Sequence, residues 1–181
     1  MLLVHNYYGS SAPSGENTAF RSEAKLLRDH GHEVFEFTRT SDVIRAQGFF
    51  GILRGALSTP WNPFASRAVS KTARRIKPNV IHVHNVFPLL SPAIFWGIRK
   101  LNIPVVMTLH NYRLGCAAGT AIRDDQACTL CIEKQSVLPA LLYGCYRNSR
   151  VATLPVASMI CLHRAMKTWE RCVSAFIVLT E

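Results

Sequence analysis

Asn79-Val80-Ile81-His82-Val83-His84-Asn85 and Pro104-Val105-Val106-Met107-Thr108-Leu109-His110-Asn111 are two short, β-branched-rich runs that each deliver a His-Asn pair at the carboxyl end. Between them lies a helix-like stretch, Ser91 to Leu101, in which Ser91-Pro92 reads as a cap followed by a proline at the first helical position. Ile94, Ile98 and Leu101 make its inward face. Strand, helix and strand at this spacing form a βαβ unit, whose two strands must be parallel. In an open parallel sheet the ligand crevice lies beyond the carboxyl ends of the strands, so polar residues placed there face a ligand.

Working outward, Leu2 to His5 reads as a first strand at a buried edge of the sheet, and Asn6 to Gly15 as a loop rich in Gly, Ser and Pro. A helix follows from about Glu16 to His30, with Phe20, Ala24 and Leu27 on one face and Gly31 just past its end. Glu33 to Phe37 alternates and reads as strand two. This opening is Rossmann-like, although the Gly-x-Gly-x-x-Gly fingerprint is absent. The stretch from Asp42 to Lys77 is irregular until Pro63, which opens a helix with Val69, Ala73 and Ile76 on one face and Arg67, Lys71 and Arg74 on another. Tyr112 to Ser136 is a long irregular segment, one or two helices are expected between Leu138 and Arg171, and Ala175 to Thr180 reads as a last buried strand. The expected fold is one α/β domain, an open parallel sheet with helices on both faces. A parallel strand at the last residue leaves its face without a covering helix, so a second domain is expected beyond Glu181.

The chain has 181 residues, is 49% hydrophobic and 18% charged, and carries a formal charge of +10. That length buries a real core without staples, and the surplus of cations favours an anionic partner. Met1-Leu2-Leu3-Val4 is too short for the apolar part of a secretion signal, and no run of apolar residues is long enough to span a bilayer. The expectation is a cytoplasmic protein, peripheral at the inner face of the membrane if it docks there at all. Eight basic residues and one acid lie between Arg39 and Lys77, interleaved with Phe49-Phe50-Gly51-Ile52-Leu53 and Trp61. This is either an interfacial helix that docks on an anionic bilayer or a solvated basic face over an ordinary core. No recognised nucleic-acid motif accompanies the charge, and nucleic acid is not an expected partner.

Candidate site residues follow from these strand ends. His110, Asn111 and Arg113 come directly after a buried strand, where an imidazole bonds a sugar hydroxyl or phosphate oxygen and a guanidinium pairs with phosphate. Alternatively His110 caps the sheet and Arg113 bonds a local carbonyl. His84 and Asn85 hold the equivalent place after the other strand, with His82 alternating onto the same face as a core residue. Gly15, Glu16 and Asn17 sit where the first loop meets its helix, either as an ordinary helix start or as a turn whose free N–H groups and Glu16 carboxylate bind ligand hydroxyls. Cys116, Cys128, Cys131 and Cys145 form C-x11-C-x2-C-x13-C. Four thiolates of this kind can close a tetrahedral structural zinc site; unliganded thiols or redox chemistry are the alternatives. Cys161 and Cys172 fall in regular patterns and read as small buried hydrophobes.

Taken together, these residues resemble the amino-terminal domain of family 4 glycosyltransferases of the GT-B architecture. The resemblance is carried by Tyr8-Gly9 through Ser14-Gly15-Glu16-Asn17, Glu23-Ala24-Lys25-Leu26-Leu27, Gly31-His32-Glu33-Val34, Pro78 to Asn85 and Thr108-Leu109-His110-Asn111-Tyr112-Arg113-Leu114. The stretch from Cys116 to Cys145-Tyr146-Arg147, closing on Phe176 to Thr180, is similar to one branch of that family. The resemblance implies one half of a two-domain enzyme, a retaining transfer of a sugar from a nucleotide-sugar donor to a saccharide or lipid-linked acceptor, and a place in surface polysaccharide synthesis. It places the loop at Gly15 near the reacting sugar and the residue matching His110 beside the donor sugar as the catalytic candidate; His84 and the Gly15-Glu16-Asn17 turn are expected to position the acceptor hydroxyl. The loop of the family has two glycines, and Ser14 replaces the first here. The family's nucleotide-sugar site, an Arg/Lys pair and two glutamates at E-x7-E spacing, lies in a carboxyl domain that would follow Glu181, so this chain alone is expected to be inactive. No Asp-x-Asp occurs, only the adjacent Asp124-Asp125, in keeping with a transfer that needs no catalytic metal. Two other classes compete: a non-catalytic, basic, zinc-stapled domain that binds polyanions or anionic membrane, and a free-standing Rossmann-like enzyme for another phosphorylated ligand.

Overall fold

The computed structural model describes residues 1–10 and 14–178. In chain order the elements are β1 (Leu2–Tyr7), α1 (Gly15–Asp29), β2 (Phe35–Thr40), α2 (Asp42–Ala46), α3 (Gly48–Ser58), α4 (Pro63–Ile76), β3 (Ile81–Asn85) and α5 (Ala93–Arg99). They continue with β4 (Val105–Leu109), β5 (Ile122–Arg123), β6 (Gln126–Ala127), α6 (Leu130–Glu133), α7 (Leu138–Tyr143), α8 (Arg150–Ala165), α9 (Thr168–Cys172) and β7 (Ala175–Val178). Five strands make one parallel sheet in the order β2-β1-β3-β4-β7, and β5 and β6 form a separate antiparallel pair.

The expected Rossmann-like α/β architecture is what the chain adopts. Several details differ from the sequence reading. β1 is not an edge strand: it pairs with β2 on one side (Leu2 opposite Phe35) and β3 on the other (Leu2 opposite Ile81). Its residues 2–6 are all buried, as an inner strand requires. β2 starts two residues late, because His32 to Val34 is spent in returning the chain from the end of α1 after Gly31 at φ +80°. The Tyr112–Ser136 segment contains the β5–β6 hairpin and α6, and three helices, rather than one or two, lie between 138 and 172. β7 pairs with β4 as expected, but Phe176, Ile177 and Val178 are exposed rather than buried, since β7 is the edge strand of the sheet. Leu179 and Thr180 lie outside the described residues. Cys161 faces outward from α8 and is exposed, whereas Cys172 is buried as expected.

The two faces of the sheet differ in chemistry. Strand alternation puts Leu2, Val4, Ile81, Val83, Val105 and Met107 on one face, where they pack against Ala65, Val69 and Ala73 of α4 and Ile94, Phe95 and Ile98 of α5. α4 is seated by Asn62, whose side chain accepts from the N–H groups of Phe64 and Ala65, and its cations Arg67, Lys71 and Arg74 stay exposed. The opposite face carries Leu3, His5, His82, His84 and Thr108, roofed by Phe20, Ala24 and Glu23 of α1. A run of buried histidines thus lies beneath one helix and leads toward the carboxyl end of the sheet.

Candidate active site

Parallel pairing of β3 with β4 sets His84 beside His110: His84 Nδ1 and His110 Nε2 lie 3.1 Å apart and the rings stack with centroids 5.3 Å apart. The line continues inward. His84 Nε2 faces Glu23 Oε2 at 3.5 Å, His82 Nδ1 donates to Glu23 Oε1 at 2.6 Å, and His82 Nε2 meets the Thr108 hydroxyl at 2.7 Å. His5 adds a fourth ring to this layer, donating through Nε2 to Asn17 Oδ1 at 2.9 Å and stacking on Phe20 with centroids 4.6 Å apart.

Electrostatics follow from burial. Desolvation pulls His5 down to about 4, helped by the neighbouring His84 and His110. Desolvation, with His84 beside it, brings His110 to about 4 as well, so its imidazole is neutral at physiological pH. Burial alone would raise the Glu23 carboxyl, but the hydrogen bonds it accepts from the His82 and His84 side outweigh it and hold Glu23 at about 2.

Four of the sequence candidates reach the rim of the crevice. Gly15 is the exposed first residue of α1, with open space where a Cβ would stand. Glu16 crosses the crevice to accept from Asn111 Nδ2 at 2.5 Å, which ties the start of α1 to the loop after β4. Its other oxygen, Oε2, is buried beside the Tyr8 phenol without a hydrogen bond of normal length, and burial raises the Glu16 carboxyl. His110 is half-buried, and among the described residues its Nδ1 has no hydrogen-bond partner and is not sealed from the crevice.

The other candidates turn inward. Asn17 is buried between His5 and the Tyr8 carbonyl. Asn85 donates to the Asn6 carbonyl and accepts from the Phe87 N–H, closing the turn after β3, while Asn6 Oδ1 accepts from the Leu89 N–H. His84 is buried behind His110. The Arg113 guanidinium donates to the Ala117 carbonyl at 2.6 Å and lies over Phe87 and Tyr146, so it organises the loop instead of facing the crevice. Sequence reasoning passed over Glu23, which carries no strand-end signal, and over His5 and Asn6, a third His-Asn pair at the end of an apolar run. Only the combination of α1 periodicity with the β3 register puts Glu23 over His82 and His84.

Two further features adjoin this rim. Cys116, Cys128, Cys131 and Cys145 all line one cavity of about 20 Å³. Burial and the proximity of the other thiols push Cys145 up, and burial pushes Cys131 up. The sulfurs stand apart around this cavity; among the described residues, the group whose ligand atoms all fall within 4.8 Å of one another is Glu23, His82 and His84. The second feature is an apolar trough of about 280 Å³ between α3 and α8, floored by Phe87, Pro88 and Tyr146. It shares that floor with a cavity of about 410 Å³ that reaches Tyr8, Gly9 and Ser14 and is edged by Arg45 and Arg147. Beside it α3 exposes Phe49 and Phe50 at 73% and 79%. α3 packs inward through Gly51 and Gly55 against Ile44, which leaves its large side chains outside. Among the described residues no helix is long and apolar enough to cross a membrane.

Residues 13–125, more than half of the chain, match the family model described as Glycosyltransferase Family 4. The chain therefore belongs to glycosyltransferase family 4. No curated protein and no solved structure matches it.

Proposed function

We propose that this chain is the acceptor-side half of a retaining glycosyltransferase, which moves a sugar from a nucleotide-sugar donor to a saccharide or lipid-linked acceptor in surface polysaccharide synthesis. The observation that carries this reading is the rim itself. A neutral His110 presents an unpartnered ring nitrogen, and one residue away Asn111 holds Glu16, whose second carboxylate oxygen lies buried beside the Tyr8 phenol. A carboxylate and a phenol side by side near the rim are groups that bond ligand hydroxyls. Neither group neutralises a leaving diphosphate; that charge falls to cations of the donor-binding half, which supply most of the transition-state stabilisation in such a transfer. In the enzyme that carries this domain, His110→Ala is expected to lower transfer ~100-fold, with Glu16→Gln a smaller loss that falls mainly on KM for the acceptor. Unchanged transfer rates in both variants would remove the assignment.

The trough between α3 and α8 supports a lipid-linked acceptor: its apolar floor runs from the acceptor loop toward exposed apolar side chains, and Arg45 and Arg147 flank the route. The exposed phenylalanines of α3 and the cations of α4 suit docking at an anionic bilayer, a peripheral place at the inner face of the membrane.

For the cysteines we propose a structural zinc. Four thiols around one cavity are a donor set that zinc prefers, and the cation offsets the cost of ionising thiols that burial otherwise holds protonated. The loop must tighten for all four to ligate one ion. Elemental analysis is expected to find one zinc per chain, and chelation to expose four thiols and lower the melting temperature. Six freely titrating thiols in the untreated protein, with no metal, would discard the site.

A further inference from the structure

Glu23, His84 and His110 form a line of polar atoms from the underside of α1 to the crevice. The contact between His84 Nδ1 and His110 Nε2, 3.1 Å long, needs a proton on one nitrogen and a lone pair on the other. Which way it runs decides what His110 offers a ligand. If His110 carries its proton on Nε2, then Nδ1 is a bare acceptor; if the proton is on Nδ1, His110 is a donor there. We propose that Glu23 is a positioning residue that settles this choice through His84: it holds the His110 proton on Nε2 and leaves Nδ1 to accept a ligand hydroxyl.

The argument starts at the carboxylate. Glu23 Oε2 stands 3.5 Å from His84 Nε2, the carboxylate oxygen that faces this buried nitrogen, which has no hydrogen-bond partner among the described residues. A bare Nε2 there would set a lone pair against a carboxylate oxygen, whereas an N–H points its positive end at it. The His84 proton therefore belongs on Nε2. A second proton on His84 would place a cation between two more imidazoles, with centroids 4.4 Å away at His82 and 5.3 Å away at His110. One carboxylate is shared among them, and it is drawn most closely to His82, at 2.6 Å. His84 Nδ1 is then a lone pair, it accepts from His110 Nε2–H, and Nδ1 of His110 is left bare toward the crevice.

The neighbouring contacts agree with this order of protons. His82 donates from Nδ1 to Glu23 and accepts at Nε2 from the Thr108 hydroxyl, so each of its ring nitrogens has one role. The 2.6 Å between His82 Nδ1 and Glu23 Oε1 is a hydrogen-bond length. Two ligands of one tetrahedral ion, each ~2.0 Å from it, would stand ~3.3 Å apart. An acceptor nitrogen at the rim is complementary to a sugar hydroxyl and repels a phosphate oxygen, so the relay selects the sugar portion of a nucleotide sugar over its diphosphate.

The inference rests on His110 as a sugar contact, but its first test needs no ligand. The 15N-labelled 181-residue chain is examined at neutral pH by long-range proton–nitrogen correlation of its imidazoles, His110 being assigned by the resonances lost in His110→Asn. The expected result is a single tautomer at His110, protonated at Nε2 and bare at Nδ1, with the same tautomer at His84. In Glu23→Gln the side-chain amide can donate where the carboxylate only accepts, and the Nδ1-protonated form of His110 is expected to appear. His110 protonated at Nδ1 in the unsubstituted chain overturns the proposal, as does a folded Glu23→Gln protein with His110 unchanged. The unsubstituted spectrum decides the question even if the variant does not fold. An Nε2-protonated His110 whose Nδ1 resonance no saccharide moves would overturn the sugar contact while leaving the control by Glu23 in place.

Discussion

Lowering the pH from 7 to 4 is expected to strip this domain of about 3 kcal/mol through His5 alone, a large share of the ~5–15 kcal/mol that holds an ordinary domain together. His5 is fully buried between β1 and α1, and its pKa in the fold is about 4 against an ordinary value of 6.5. The folded pKa lies below the unfolded one, so the unfolded chain binds more protons throughout the interval between them. Stability is complete above pH 6.5 and is lost as the pH falls toward 4. His110, also held near 4, acts in the same direction and the same window. Glu23, at about 2 against 4.5, adds a further loss that begins only below pH 4.5. Glu16 opposes them: its carboxyl is raised, so it costs stability at neutral pH and returns part of it in acid. Urea midpoints measured in steps from pH 7 to pH 4 check the result. A midpoint that stays flat between 6.5 and 4 would show that the histidine layer is hydrated rather than buried.

Phe20→Ala is the substitution expected to do most damage in this layer, at a cost of ~3–5 kcal/mol. Phe20 is fully buried, and its ring stacks on His5 and meets Tyr7 and His84 edge-on, with centroids 5.7 and 5.2 Å away. Removing it opens a cavity lined by imidazoles, which water can enter because the lining offers hydrogen-bond partners. The His5 pKa should then climb back toward its ordinary value, so the variant is less stable at neutral pH but loses less on acidification. Leu26→Ala, on the exposed face of the same helix, is the control and should change stability by less than about 0.5 kcal/mol. If the two variants melt alike, Phe20 does not roof the histidines as described.

The elements that place the site were legible where local pattern and tertiary demand agree. β4 spans Val105–Leu109 as its β-branched run suggests, and α4 begins at Pro63 because Asn62 and Pro63 supply both halves of a helix start. Legibility failed where a side chain had a choice of partners. Asn17, Asn85 and Arg113 are residue types that bind ligands, yet each is consumed by nearby backbone or ring atoms, a fate that depends on turn geometry and not on composition. Glu23 looked like any solvated helix carboxylate until the register of β1 and β3 beneath α1 brought two histidines under it. α3 was read only as one alternative, an interfacial helix without bounds, for a related reason: its inward face is built of Gly51 and Gly55, so no inward hydrophobic period marks where it starts and stops. The cysteines were singled out by spacing alone, and the structure adds that all four line one cavity.

The side-by-side seating of β3 and β4 also governs where this domain can tolerate changes of length. His84 and His110 meet because both strands run in one direction and each presents alternate residues to α1. A single residue gained or lost within Ile81–Asn85 turns the histidines to the α4–α5 side and erases the rim in one step. Extra residues in the connection from α5 to β4, around Asn102, leave both strands in phase. For an engineer lengthening loops or recombining domains, the crossover is open ground, and the strands behave as fixed frames whose spacing carries the chemistry.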